Sequence, residues 1–583
     1  MRGPLFKKID FDVNFIVSAI DQGTVGLPDI QRPFVWSAAK VRDLFDSMYR
    51  GYPVGYFILW AAYENFRHKQ IGKDHGTDFP TSLIIDGQQR LTSLYAVIKG
   101  KSVLTKNFEE KIIAIAFHPL KEEFAVSTAA HQRSHEWIEN ISILFSETTS
   151  SYAFIEKYIN DLSKEKEVIQ EKKGKIAENI NRLIQLKMYP FSAIEISSDT
   201  EEEDVADIFV RVNSKGQNLK QADFILTLIS VFWEEGREEL ESFCKDARIP
   251  NLTDKSSYNY LYEPGPDHLL RVSVGYAFRR ARLKYAYLVL RGKNLETKET
   301  TPELREKQFS VFKSAQKKTL DLQNWHEYLK IILNAGYKRK NMIVSDTAVL
   351  YTYVFYLIGK YDYKVESYKL RTILSKWFFM TTLTYRYSSS AETKMEQDLA
   401  NLRSIETADE FVEHLENIIT SVFTNDYWKI TLPQELVTSS SLSPIWMAYT
   451  ASLNLLNTKV LFSKIHVSDL LDPTRDANKS ALEKHHLFPK KYLENIGIPN
   501  DRDRNQIANF AYVEWKDNLD ISDEAPAQYI GEYLERYSAG DQKKMYYHHA
   551  LPEKWQELEY FEFLKQRRQM MAQIIEDGFK SLS

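Results

Sequence analysis

The segment that most narrows the fold is "TSLIIDGQQRLTSLYAVIKG", residues 81–100. Leu83, Ile84 and Ile85 form a short apolar run suited to a buried strand. Leu91, Leu94, Tyr95 and Ile98 then recur at helical spacing until Gly100 stops the pattern. Strand and helix signals mix through the first 235 residues. Residues 155–188 add an amphipathic pattern through Ile155, Ile159, Leu162, Ile169, Ile176, Ile180 and Leu183. It predicts a long helix or a helical hairpin with its break at Gly174. The acidic run "SSDTEEEDVADIFVRVN" predicts another helix, capped by Ser198 or Asp199.

A chain of 583 residues exceeds one hydrophobic core and is expected to divide into two to four domains. The divisions read from the sequence are 1–235, a mainly helical 236–430 interrupted by the polar stretch 291–307, and 431–583. The fold class is multidomain α+β. A net charge of −4 does not mark the whole chain as a nucleic-acid binder, although local basic patches are compatible with it. Cys244 is the one cysteine, which excludes intramolecular disulfides and cysteine-rich zinc sites and fits a reducing cytoplasm. No stretch of ~18 apolar residues is present, so membrane spans and secretion are not expected.

The C-terminal part holds "LEKHHLFPKKYL", with His485 and His486 adjacent. On a strand, neighbouring side chains point to opposite faces, so the pair offers one imidazole to each. A bare His-His pair is more often structural than functional, and the chain has a second one, His548–His549, read as structural or surface. The downstream stretch "NQIANFAYVEWKDNLDIS" distinguishes the first pair. It carries Asn509 and Asn518 around a strand-like "FAYV". Lys484, Lys490, Lys491, Arg502 and Arg504 crowd the same segment, either to hold phosphates or as a solvated charged face.

This arrangement resembles the HNH endonuclease motif, and its wording resembles the nuclease domain of GmrSD-type modification-dependent restriction enzymes. The resemblance implies a ββα-metal fold embedded in helices. It makes His485 a metal ligand, His486 the general base, Asn509 the brace of the loop that orients the base, and Asn518 the second protein ligand. Many HNH proteins have Asp where His485 stands. The site is therefore more neutral and softer, and Mn²⁺, Co²⁺ or Ni²⁺ is expected to suit it better than Mg²⁺.

The N-terminal part carries three further stretches. "IDGQQRLTSL" sets Asp86, Gln88 and Arg90 at a strand-to-helix junction, where helix N–H groups and a forked guanidinium suit phosphate. The alternative is a polar turn capped by Asp86. "LPDIQRPFVW" brings Arg32, and "FVRVNSKGQNLKQADF" brings Arg211 and Asn213. Together they resemble the ParB/sulfiredoxin-like N-terminal domain of the same group. That implies binding of a nucleoside triphosphate, GTP or ATP, by Arg32, Asp86, Gln88, Arg90, Arg211 and Asn213. No Walker-type GxxxxGK[ST] is present.

The expected activity is nucleotide-dependent, metal-dependent cutting of double-stranded DNA, with modified phage DNA as the target and a homodimer as an allowed assembly. Hydroxymethylated or glucosylated cytosine is the first choice of modification. The same layout occurs in BrxU and in phosphorothioate-sensing SspE-like proteins, which keeps phosphorothioate DNA open. From another class, an NTP-controlled DNA-binding regulator with a degenerate nuclease site is the alternative.

Overall fold

The computed structural model describes residues 5–28, 34, 36–61, 68–69, 81–105, 109–146, 148–164, 168–198, 200, 208, 222, 225–226, 229, 233–251, 253–294, 297, 299–472, 482–514, 517, 521 and 523–582. It divides into two compact units, Met1–Glu238 and Glu239–Ser583.

The first unit is built on a six-stranded mixed sheet. Its strands are β1 (Phe6–Asp12), β2 (Val25–Pro28), β3 (Phe57–Ala61), β4 (His68–Lys69), β5 (Ser82–Asp86) and, after two hairpins, β10 (Pro190–Ile196). The hairpins are β6 (Ser102–Leu104) with β7 (Glu110–Ile112), and β8 (Ile115–His118) with β9 (Glu123–Val126). The sheet order is β1-β10-β3-β5-β2-β4. β10 runs parallel to β3 and β2 parallel to β5, while the remaining neighbours are antiparallel.

β5 contributes Leu83, Ile84 and Ile85, all fully buried, which is why it reads as a continuous apolar run without alternation. The helix Gln88–Lys99 follows at once. It buries more than the predicted stripe, because Thr92, Ser93, Ala96 and Val97 are also enclosed. Ser93 tolerates this by donating its hydroxyl to Gln89 O at 2.6 Å.

Two helices that pack on each other, Ser151–Ser163 and Gln170–Ile184, stand where the pattern allowed one long helix or a hairpin. Gly174 is not the break between them, since it lies inside the second helix. The helix expected from the acidic run at 197–213 falls largely outside the described residues.

The second unit is mostly helical. Its core stacks aromatic side chains, among them Trp325, Tyr328, Tyr353 and Trp377. Two of these tyrosines place their hydroxyls on backbone carbonyls: Tyr353 donates to Thr319 O at 2.8 Å, and Tyr328 to Val349 O. The unit contains both the 236–430 helices and a two-stranded ribbon, β11 (Leu482–His486) with β12 (Phe510–Glu514). The helix Tyr560–Lys580 packs against Pro444–Leu455 in the same unit. Among the described residues no helix is long and apolar enough to cross a membrane.

Candidate active site

β11 and β12 pair antiparallel, with His485 opposite Ala511 and His486 opposite Phe510. The pleat sends the two imidazoles apart. His485 is 3% exposed and meets the ring of Tyr529 edge-on at 6.0 Å. His486 is half-buried on the other face, edge-on to its cross-strand partner Phe510 at 4.8 Å.

Beyond His486 the chain leaves the ribbon sharply, and Asn509 holds that departure. Its backbone oxygen accepts from Leu487 N at 2.8 Å. Its side-chain Oδ1 accepts from Phe488 N at 2.9 Å, while Nδ2 donates to Phe488 O at 3.0 Å and Arg504 O at 3.1 Å. Asn509 is fully buried, so these bonds satisfy groups that water cannot reach. Tyr529 adds a hydroxyl to Leu487 O at 2.8 Å. Pro489 then starts the helix Lys490–Asn495, where its missing N–H costs nothing.

His486 Nε2 lies 3.0 Å from Asn505 Oδ1. Burial pushes this imidazole down to about 4; the Asn505 bond works against that shift, and the cations of Lys490 and Arg504 add to it. The ring is therefore neutral at pH 7 and able to take a proton. Asn505 was not among the residues singled out from the sequence. Its one visible signal is its place four residues before Asn509.

The segment bearing Asn505 and Asn509 is clamped by the helix Tyr560–Lys580. Arg567 is fully buried there and meets backbone carbonyls. Nη1 donates to Ala508 O at 2.7 Å, and Nε and Nη2 donate to His549 O at 3.3 and 3.2 Å. Tyr560 donates to Asp503 O at 2.8 Å, and Arg568 to Gln506 Oε1 at 3.1 Å. The second histidine pair is thus explained. His549 is buried against Lys459 O at 2.9 Å and pushed down to about 3 by that burial, so it belongs to the interior and not to the surface.

Asn518 lies outside the described residues. Among the described residues no three His, Cys, Asp or Glu side chains gather into a metal cluster. Of the two expected metal ligands only His485 is described, and its imidazole is buried on the Tyr529 side of the ribbon. Of the neighbouring cations, Lys484, Lys490, Lys491 and Arg502 are exposed. Lys484 donates to Ser441 Oγ at 2.8 Å, and Arg504 pairs with Asp501 at 2.9 Å.

In the first unit, Asp86 ends β5 and pairs with Arg90 beside the entry to β3, while Gln88 opens the helix between them. Arg32, Arg211 and Asn213 lie outside the described residues. The helix N-cap is Gly87 and not Asp86; its φ of 95° and the absence of a side-chain cap leave the first amides of the helix to other partners. A Cβ at Gly87 would sit 2.3 Å from Phe57 Cδ1, and one at Gly55 (φ +88°) 2.6 Å from Arg90 Nη1, so both glycines allow a close approach. Arg90 Nη1 donates to Val54 O at 2.6 Å and Nη2 to Tyr56 O at 2.8 Å, with Asp86 Oδ2 at 3.3 Å. Its guanidinium lies over the Phe57 ring at 5.0 Å. Arg90 thus fastens the turn into β3, and burial holds its pKa below the ordinary arginine value despite Asp86.

Over 547 residues the chain is 23% identical to an uncharacterized protein of Methanocaldococcus jannaschii, covering 89% of this chain and 86% of the other. Residues 13–230 match the family model described as the GmrSD restriction endonuclease, N-terminal domain, so the first unit is similar to the N-terminal part of a restriction endonuclease.

Proposed function

We propose that this chain is a restriction endonuclease that hydrolyses phosphodiesters of modified double-stranded DNA with a divalent ion, under control of a nucleoside triphosphate. The observation that carries the reading is the ribbon that sets His485 and His486 on opposite faces, with Asn509 bracing the exit from β11. The likeness of residues 13–230 to a restriction-endonuclease domain supports the same class.

In this reading His485 and Asn518 hold the ion, Mn²⁺ or Mg²⁺. When bound, the ion offsets charge that builds on the scissile phosphate and its leaving oxygen. His486, neutral at pH 7, takes one proton from the water that attacks phosphorus. One P–O ester bond breaks, and the departing oxygen is protonated from solvent. Lys490 and Arg504 lie near enough to His486 to influence its charge, and in this reading they hold the phosphate backbone beside it.

Matched DNA substrates test the reading: plain cytosine, hydroxymethylcytosine and glucosylhydroxymethylcytosine, each with and without GTP or ATP, in Mg²⁺ and then Mn²⁺. Strong nucleotide-stimulated cutting of modified DNA, with weak cutting of plain DNA, is expected. Equal cutting of both removes the restriction reading and leaves a nuclease. Cutting of phosphorothioate DNA alone moves the target to that linkage, and binding without any cutting favours the DNA-binding regulator.

The nucleotide half has its own test. Asp86→Ala and Arg90→Ala are expected to weaken GTP or ATP binding by calorimetry without lowering the unfolding temperature of the second unit. Arg90 acts by shaping the junction between β5 and β3, so its loss should also loosen the first unit, whereas Asp86→Ala should spare it. Unchanged affinity in both variants would reduce "DGQQR" to a structural turn.

A further inference from the structure

We propose that Asn505 is a positioning residue for His486, fixing the imidazole in the tautomer protonated on Nε2 and leaving Nδ1 as the nitrogen that takes the proton of the water. The proposal rests on the nuclease reading for its consequence, but on geometry for the tautomer.

A neutral imidazole has one N–H donor and one bare acceptor nitrogen, and the hydrogen bond at one nitrogen decides the state of the other. Asn505 presents its carbonyl oxygen, an acceptor only, 3.0 Å from Nε2. With that oxygen as acceptor, a hydrogen bond here requires the ring proton on Nε2. The other polar groups that influence this ring, Lys490 and Arg504, carry donors only and cannot accept a ring N–H. Phe510 closes the ring edge-on from the paired strand.

Asn505 is itself held on both sides. Its backbone N–H donates to Asp501 O at 2.9 Å, and the carbonyl just before it, Arg504 O, accepts from Asn509 Nδ2. Just beyond it, Ile507 N donates to Thr438 O at 2.8 Å. The asparagine bracing the exit from β11 thus also fixes the peptide that aims Asn505, so loop and base are aligned by one set of bonds.

The test uses the full chain and the variants Asn505→Asp, which keeps an acceptor oxygen, and Asn505→Leu, of similar size without one. Selective ¹⁵N-histidine labelling reads the tautomer directly, with His486→Gln identifying the His486 resonances. In the wild type, His486 should show a protonated Nε2 and a bare Nδ1. Asn505→Leu should lose this fixed pattern and lower kcat about 10–100-fold, as losses of orienting partners do, with KM and DNA affinity nearly unchanged. Asn505→Asp should keep the pattern and stay within a few-fold of wild type. A wild-type His486 protonated on Nδ1, an Asn505→Leu enzyme with wild-type kcat, or an Asp variant as impaired as the Leu variant would overturn the proposal. If wild type cuts no DNA, the nuclease reading has failed, and the tautomer of the wild-type protein alone decides the role of Asn505. The same spectrum decides the matter if Asn505→Leu does not fold.

Discussion

His486→Ala should cut DNA ~10²–10⁴-fold more slowly than wild type, the range expected for loss of a general base, while binding it with nearly unchanged affinity. The imidazole is half-buried on one face of β11 and neutral at pH 7, so removing it takes away a proton acceptor without removing a charge that would attract DNA. Single-turnover nicking of a supercoiled plasmid in Mn²⁺, with filter binding on the same samples, measures both quantities. His548→Ala is the matched control and should cut normally. Cleavage by His486→Ala within a few-fold of wild type would remove this residue from the chemistry.

Arg567→Met should destabilise the second unit by about 2–4 kcal/mol, because it strands two buried carbonyls, Ala508 O and His549 O, at roughly 1–3 kcal/mol each, partly offset by no longer burying a cation. Urea unfolding followed by tryptophan fluorescence measures this, Trp555 being fully buried in the same unit. Cleavage should fall with it, because Ala508 precedes Asn509 directly, while nucleotide binding by the first unit should hold. A change below ~0.5 kcal/mol would mean that the clamp contributes rigidity but no stability.

What could be read from the residues follows the range over which each interaction acts. β5 and the helix after it were legible because an apolar run and a 3.6-residue period are local signals. The helical character of 155–188 was legible for the same reason, but not where it divides. Gly174 is tolerated at an exposed position of the second helix, and the first helix ends at Ser163, before Gln170 begins the second. The Asn505–His486 bond spans 19 residues and exists only once β11 and β12 pair, so no spacing rule reveals it. The two histidine pairs are identical as strings. Their difference lies in what each ring meets, an asparagine for His486 and the Lys459 carbonyl in the interior for His549.

Arginine partners were the least legible. The sequence shows Arg90 only as a forked donor at a strand-to-helix junction and says nothing of Arg567, yet both direct donors to backbone carbonyls inside the fold. An arginine fork satisfies several carbonyls at once, and nothing in a one-dimensional pattern marks where those carbonyls will be.

The clamp from Tyr560–Lys580 also sets an order in time. Ala508 leaves the ribosome 59 residues ahead of Arg567, a gap of roughly 3–12 s at ~5–20 residues per second. Throughout that interval a growing polypeptide already carries both histidines but not the guanidinium that fixes the carbonyl next to Asn509. A chain whose translation stalls before residue 567 would therefore hold both histidines in an unfinished frame.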